Sequence, residues 1–158
     1  MARAYEKTTV SVAKSRELIE STLRRWGVSG VSWSDDFDES AVILRFRWNN
    51  DEVVFVARFI LQLPTDENLK EVAIDGRTNR FSTNKFEKLC EERGRREHRL
   101  LAMFLKNTFE AVEEGIINAE QVFLPWLEDK DGVTVAERLG PIMNQLPKSS
   151  LKKMLTEG

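Results

Sequence analysis

The strongest constraint on the fold lies between residues 41 and 63. Val42, Leu44, Phe46 and Trp48 alternate with Ile43, Arg45 and Arg47, the period of two that a β-strand imposes on its side chains. Asn49-Asn50 follows, a pair that tolerates the positive φ of a two-residue turn. A second apolar run extends from Asp51 to Leu63 and stops at Pro64. These features read as a hairpin with Trp48 opposite Asp51. That register sets Phe46 opposite Val53, Leu44 opposite Phe55 and Val42 opposite Ala57 on one apolar face, which is therefore the core face. The other face is mixed, with Arg47 opposite Glu52, Arg45 opposite Val54, Ile43 opposite Val56 and Ala41 opposite Arg58.

Around the hairpin the pattern predicts an α+β fold. A strand over 6–12 is expected from Thr8, Thr9, Val10 and Val12, then a helix from Lys14 to Trp26 with Leu18, Ile19, Leu23 and Trp26 on one side. Gly27 sits where a left-handed helix cap belongs. A short strand from Gly30 to Ser34 and an acidic loop, Asp35 to Glu39, lead into the hairpin. Residues 64–82 are polar, turn-rich and aperiodic, the signature of a mobile loop. A long helix then runs from Thr83 to Glu114, with Gly94 in a charged centre that predicts a bend or a projection past the sheet, and Gly115 closes it. Asn118 with Gln121 and Thr134 with Glu137 read as caps of two short helices, and the tail 148–158 as a flexible end. The expected architecture is a three- or four-stranded antiparallel sheet with one inserted helix, followed by the long helix and two or three short ones. It forms one domain over residues 1–158.

Composition narrows the function classes. With 158 residues, 41% hydrophobic and 32% charged, the chain can bury a core. A net charge of −2 sets it apart from proteins that bind nucleic acid through an overall basic excess, so any such role needs a local patch. Cys90 is the single cysteine, which leaves no internal disulfide. The N-terminus has no apolar run of signal-peptide length, and the apolar stretch from Val53 to Ile60 is interrupted by Arg58. The expected setting is the cytoplasm, with no membrane partner.

Catalytic groups are scarce. His98 is the only histidine, and it lies on the predicted long helix about 12 Å along and roughly 80° around from Cys90, which rules out a nucleophile–base pair within that helix. Both read as structural or surface groups. Too few Cys and His are present for a zinc site. Glu110, Glu113 and Glu114 lack the second ligand helix of a two-metal site and read as a solvated face. Asp35, Asp36, Asp38 and Glu39, and the Asp129-x-Asp131-Gly132 run, lack the remaining ligands of a calcium loop. No catalytic residue, metal or cofactor is expected.

Two arginine groups are the candidate binding sites. Arg93, Arg95, Arg96 and Arg99 wrap one side of the long helix, suited to phosphates or a partner's carboxylates, although Glu91, Glu92 and Glu97 are close enough to pair with them. Arg45, Arg47 and Arg58 frame Ile43, Val54 and Val56 on the mixed sheet face. Single strands bind sheets through basic groups plus stacking aromatics. Here Phe46, Phe55 and Trp48 point to the core face, and only Trp33 on the neighbouring strand has access to the mixed one. Aliphatics framed by arginines fit a protein interface or the floor of a second helical layer.

Several short pieces also carry a resemblance. They are the hairpin, Arg95-Arg96-Glu97-His98-Arg99-Leu100-Leu101, the helix exit Glu110-Ala111-Val112-Glu113-Glu114-Gly115-Ile116, Phe123-Leu124, and Asp131-Gly132-Val133-Thr134-Val135. In these the chain resembles small uncharacterised proteins encoded by bacteriophages and prophages, over roughly residues 8–140. The resemblance implies a mobile-element origin and an accessory role, and supplies no catalytic residues. The expected function is therefore a non-enzymatic, phage-type accessory protein. It would act by protein or nucleoprotein binding, in DNA replication or recombination or against host defence. Arg95, Arg96 and Arg99 are the first contacts, with Arg93 beside them and Arg45, Arg47 and Arg58 second. Two alternatives stand beside it, a single-stranded nucleic-acid-binding protein and an enzyme with an Asp/Glu/Arg site. A protein partner is favoured over nucleic acid, and self-association through the mixed sheet face is a further option.

Overall fold

A computed structural model describes residues 3–65, 74–78 and 80–143. The fold is α+β. Helix α1 (Val12–Arg25) is followed by an antiparallel sheet in the order β1 (Gly30–Asp36), β2 (Ala41–Asn50), β3 (Val53–Gln62). The long helix α2 (Thr83–Glu113), the short α3 (Ala119–Phe123), a 3-10 turn (Leu124–Trp126) and α4 (Val135–Met143) complete it. The expected tail over 148–158 lies outside the described residues, as do residues 66–73 and 79 of the loop over 64–82. Within that loop β4 (Ile74–Asp75) and β5 (Arg80–Phe81) pair as a ribbon, each strand too short to show a period in sequence.

No strand forms over 6–12. Ser11 accepts a hydrogen bond from the Lys14 backbone N–H and so N-caps α1, which makes Val12 a helical residue. The helix thus precedes the sheet instead of lying between its first two strands. The segment before it is tied to α2, since Arg95 donates to the Thr8 carbonyl at 3.4 Å and Arg96 to the Ala4 carbonyl at 3.0 Å. At the other end of α1 the chain turns through Gly27 at φ 77°. Helix α2 runs unbroken through Gly94, which is buried where α1 crosses; a Cβ there would lie 3.8 Å from Val12.

The hairpin turns two residues later than its asparagines suggest. Asn49 and Asn50 belong to β2, opposite Val54 and Val53, and the turn is Asp51-Glu52 with Asp51 at φ 52°. The reason is packing. The later turn sets Trp48 opposite Phe55 with ring centroids 5.3 Å apart, and brings Phe59 and Leu61 opposite Leu44 and Val42. The earlier turn would have left Phe59 and Leu61 beyond the ladder. Each residue's partner shifts by an even number, so every side chain keeps its predicted face.

The core lies between that face and the two long helices. Leu44, Phe46, Ala57 and Phe59 are buried with Ile19 and Leu23 of α1 and Leu101, Leu105 and Phe109 of α2. Phe123 seals it, its ring meeting those of Phe46, Phe59, Phe109 and Trp48 at centroid distances of 5.3–6.2 Å. Beyond Phe123 the chain rounds the β3 edge. Leu127 bridges Ala57, and the Glu128 N–H donates to the Val56 carbonyl at 2.8 Å. The expected Thr134–Glu137 capping box then opens α4, with Glu137 N–H donating to Thr134 Oγ1 at 3.3 Å and Thr134 N–H to Glu137 Oε2 at 2.7 Å. That backbone N–H holds the Glu137 carboxyl below its ordinary pKa.

Candidate functional site

The far side of the sheet is where the arginines of β2 and β3 meet. Arg45 and Arg58 stand directly opposite each other, so two like charges face across one ladder rung. Glu128, carried round the β3 edge, sits between them: its Oε1 accepts from Arg45 Nε at 2.9 Å and lies 3.3 Å from Arg58 Nε. Glu137, at the start of α4, pairs with the outer nitrogen of Arg58. The Arg58 and Glu128 side chains are only 14% and 10% exposed, so this is a partly desolvated network and not a loose surface pair. The expected Arg47–Glu52 pair does not form, because the later turn sets Arg47 opposite Val56.

This network pins the start of α4 to the sheet and leaves the rest of the face open. Val54 and Ile60, at either end of the same row of β3, are 59% and 49% exposed. Leu139, Ile142 and Met143 of α4 are exposed as well, while Ile43 and Val56 are half-buried. Between β1 and β2 a cavity of about 360 Å³ is lined by Gly30, Ser32, Arg45, Arg47 and Val56 among others. Trp33 does not reach this side. It points inward, its indole N–H donating to Glu20 at 3.2 Å and its ring stacked on His98. The open face therefore carries aliphatic and guanidinium groups, and its aromatic neighbours are turned to the core.

The basic centre of α2 is largely engaged within the protein. Arg93 pairs with Glu97 at 2.8 Å and Arg95 with Glu91 at 3.8 Å, both one turn apart. Arg96 pairs with Glu97 at 3.2 Å, and Arg95 and Arg96 also hold the N-terminal segment. Among the described residues Arg99 makes no ion pair or hydrogen bond. Of the four, it alone offers an uncommitted guanidinium.

His98 is 2% exposed, in the crossing of α1 and α2. Its Nδ1 lies 2.8 Å from the Gly94 carbonyl, and its Nε2 is 3.2 Å from Arg16 Nε, which can only donate. The ring is thereby fixed as the neutral Nδ1–H tautomer. Burial, with the nearby Arg16 charge, holds its pKa below the ordinary value against the opposing pull of the Gly94 carbonyl. Arg16 lies over the Trp33 ring at 4.6 Å and pairs with Asp35 at 3.3 Å. Both imidazole nitrogens are occupied, so the ring has no lone pair to lend to catalysis. Cys90 is half-buried.

The acidic runs are structural where they are described. Asp129 accepts the Asp131 and Val133 N–H groups at 2.8 and 3.1 Å, and Arg138 binds Asp129 and Asp131 at 2.8 and 3.0 Å, which closes the turn. The Val133 N–H, with Arg138, lowers the Asp129 pKa. Arg25 bridges Glu110 and Glu113, each at 3.5 Å, and ties α1 to α2. Asp35 and Asp36 belong to β1, and the tip beyond them presents Phe37 at 89% exposure. Among the described residues no three His, Cys, Asp or Glu side chains gather as metal ligands, and no helix is long and apolar enough to cross a membrane.

Neither Glu128 nor Arg16 is marked in the sequence as a member of these clusters. Glu128 lies 83 residues from Arg45 and Arg16 lies 82 from His98, so only the fold brings them together. The chain matches no protein-family model, no curated protein and no solved structure.

Proposed function

We propose that this chain is a non-enzymatic accessory protein of the cytoplasm that binds a partner protein through the open face of its sheet. The observation that carries the reading is that Val54 and Ile60 stand exposed on the same sheet face as the Arg45–Glu128–Arg58 network. Apolar groups beside a partly desolvated, geometrically fixed charge cluster are what protein interfaces present. Single-strand binding is less well supported, because the face has no stacking ring and three of the four α2 arginines are paired at home. The resemblance to phage and prophage proteins favours a partner in DNA replication or recombination, or in host defence.

The test is capture of bacterial lysate proteins on the tagged chain after nuclease treatment, with binding then measured for the purified partner. A protein that survives nuclease and is lost with Val54→Asp and Ile60→Asp, yet retained with Arg99→Glu, supports the reading. Material removed by nuclease, bound with a steep salt dependence and lost on replacing Arg95, Arg96 or Arg99, would instead favour the nucleic-acid alternative. Capture that is indifferent to the Val54 and Ile60 changes would retire the sheet-face proposal.

A further inference from the structure

The two edges of the sheet are treated differently. The β3 edge is closed by Leu127 and Glu128. The β1 edge is open: among the described residues its backbone bonds to β2 alone. A seven-residue edge strand with unpaired backbone groups is a template for another strand.

Charge identifies which strand fits. Arg47 is paired across the ladder with Gly30, and its side chain lies over that residue. A Cβ at position 30 would stand 2.8 Å from Arg47 Nε and 3.3 Å from Cγ. The missing side chain of Gly30 is what lets the Arg47 guanidinium rest on the edge strand, where it makes no ion pair or hydrogen bond among the described residues. On the same face at the other end of β1 stands Asp36. One of its oxygens accepts the Glu39 N–H at 3.0 Å, and Asp38 and Glu39 follow on the tip. The edge is therefore basic at its start and acidic at its end.

We infer that two copies of this chain pair through β1, antiparallel about Trp33, with Arg47 of each copy bound to Asp36 of the other. Pairing about Trp33 sets Gly30 opposite Asp36 and Ser32 opposite Ser34 on the outer face. Asp36 of the second copy then lies one strand spacing, about 4.8 Å, beyond Gly30, within reach of the guanidinium above it. The two-fold axis makes the contact twice. Centring the pair on Ser32 or Ser34 would bring Gly30 or Asp36 opposite a serine and lose both contacts, so the charges select the register. The product is a continuous sheet of six strands whose outer faces adjoin. The inference does not rest on the partner-binding reading, since it concerns the purified chain alone.

The test is sedimentation of the purified full chain over a range of concentrations. The wild type associates to a dimer. Arg47→Glu and Asp36→Arg each weaken association by about tenfold or more, because each places like charges together at both contacts. Mixing the two variants restores a dimer, since each then supplies what the other lost. Gly30→Ala, which displaces the Arg47 stem, also weakens it. Circular dichroism and melting of each variant confirm that it is folded, and the mixing arm is independent of any small loss of stability. A wild type that stays monomeric at every concentration, single variants that associate as the wild type does, or a mixture that stays monomeric would each overturn the inference.

Discussion

His98 is held neutral from two directions, by an acceptor at Nδ1 and a permanent donor at Nε2. A proton on Nε2 would face the Arg16 guanidinium, so protonation must break that contact. Asp35 on β1 and Glu97 on α2 pull the other way, and burial outweighs them. The folded pKa lies below the unfolded value of 6.5, so near and below that pH the unfolded chain binds the extra proton. Stability contributed by neutral His98 is fully present above pH 6.5 and declines as the pH falls toward the folded pKa. Chemical denaturation at pH 7.5 and pH 5.5 checks this: the wild type loses stability between them, and His98→Gln flattens the dependence while costing about 1–2 kcal/mol at the higher pH. The sequence indicated that this imidazole had no catalytic partner on its own helix. That its partner is Arg16 was not legible, because a helix crossing leaves no trace in local spacing.

The segment from Phe123 to Glu137 behaves as a clamp, with Phe123 in the core and Glu128 and Glu137 on the opposite face. Glu128 separates two arginines on one rung of the ladder. Glu128→Ala leaves them facing each other with only Glu137 for relief, at a cost of about 2–3 kcal/mol in denaturant unfolding. Adding Arg58→Met, which removes one of the like charges, recovers part of that loss, and failure to recover it would show that Glu128 acts by packing and not by charge. The hairpin shows what an element's sequence does and does not carry. The period of two put Leu44, Phe46 and Phe55 on the right face, because alternation is a property of the strand itself. The turn was misplaced, because Asn49-Asn50 satisfies local turn chemistry as well as Asp51-Glu52 does. Only the rings of Trp48, Phe55 and Phe59 distinguish the two registers.

For the molecule as a whole, the open sheet face should be separable from the fold. Val54→Asp and Ile60→Asp alter residues that are already half in water, so each should shift unfolding stability by no more than about 0.5–1 kcal/mol, read by thermal melting. A collapse of the fold would mean that the face is covered. By itself the sequence determined the α+β class, the core face of the hairpin, the span of α2 and the caps at Gly115 and Thr134. Each depends on periodicity or on hydrogen bonds between residues a few positions apart. Tertiary structure alone decided that Arg95 and Arg96 hold the N-terminal segment, and that Glu128 neutralises the arginines of the sheet. Those outcomes depend on which charged groups from distant parts of the chain meet as the core closes, and a long polar side chain fits many partners until packing has chosen one.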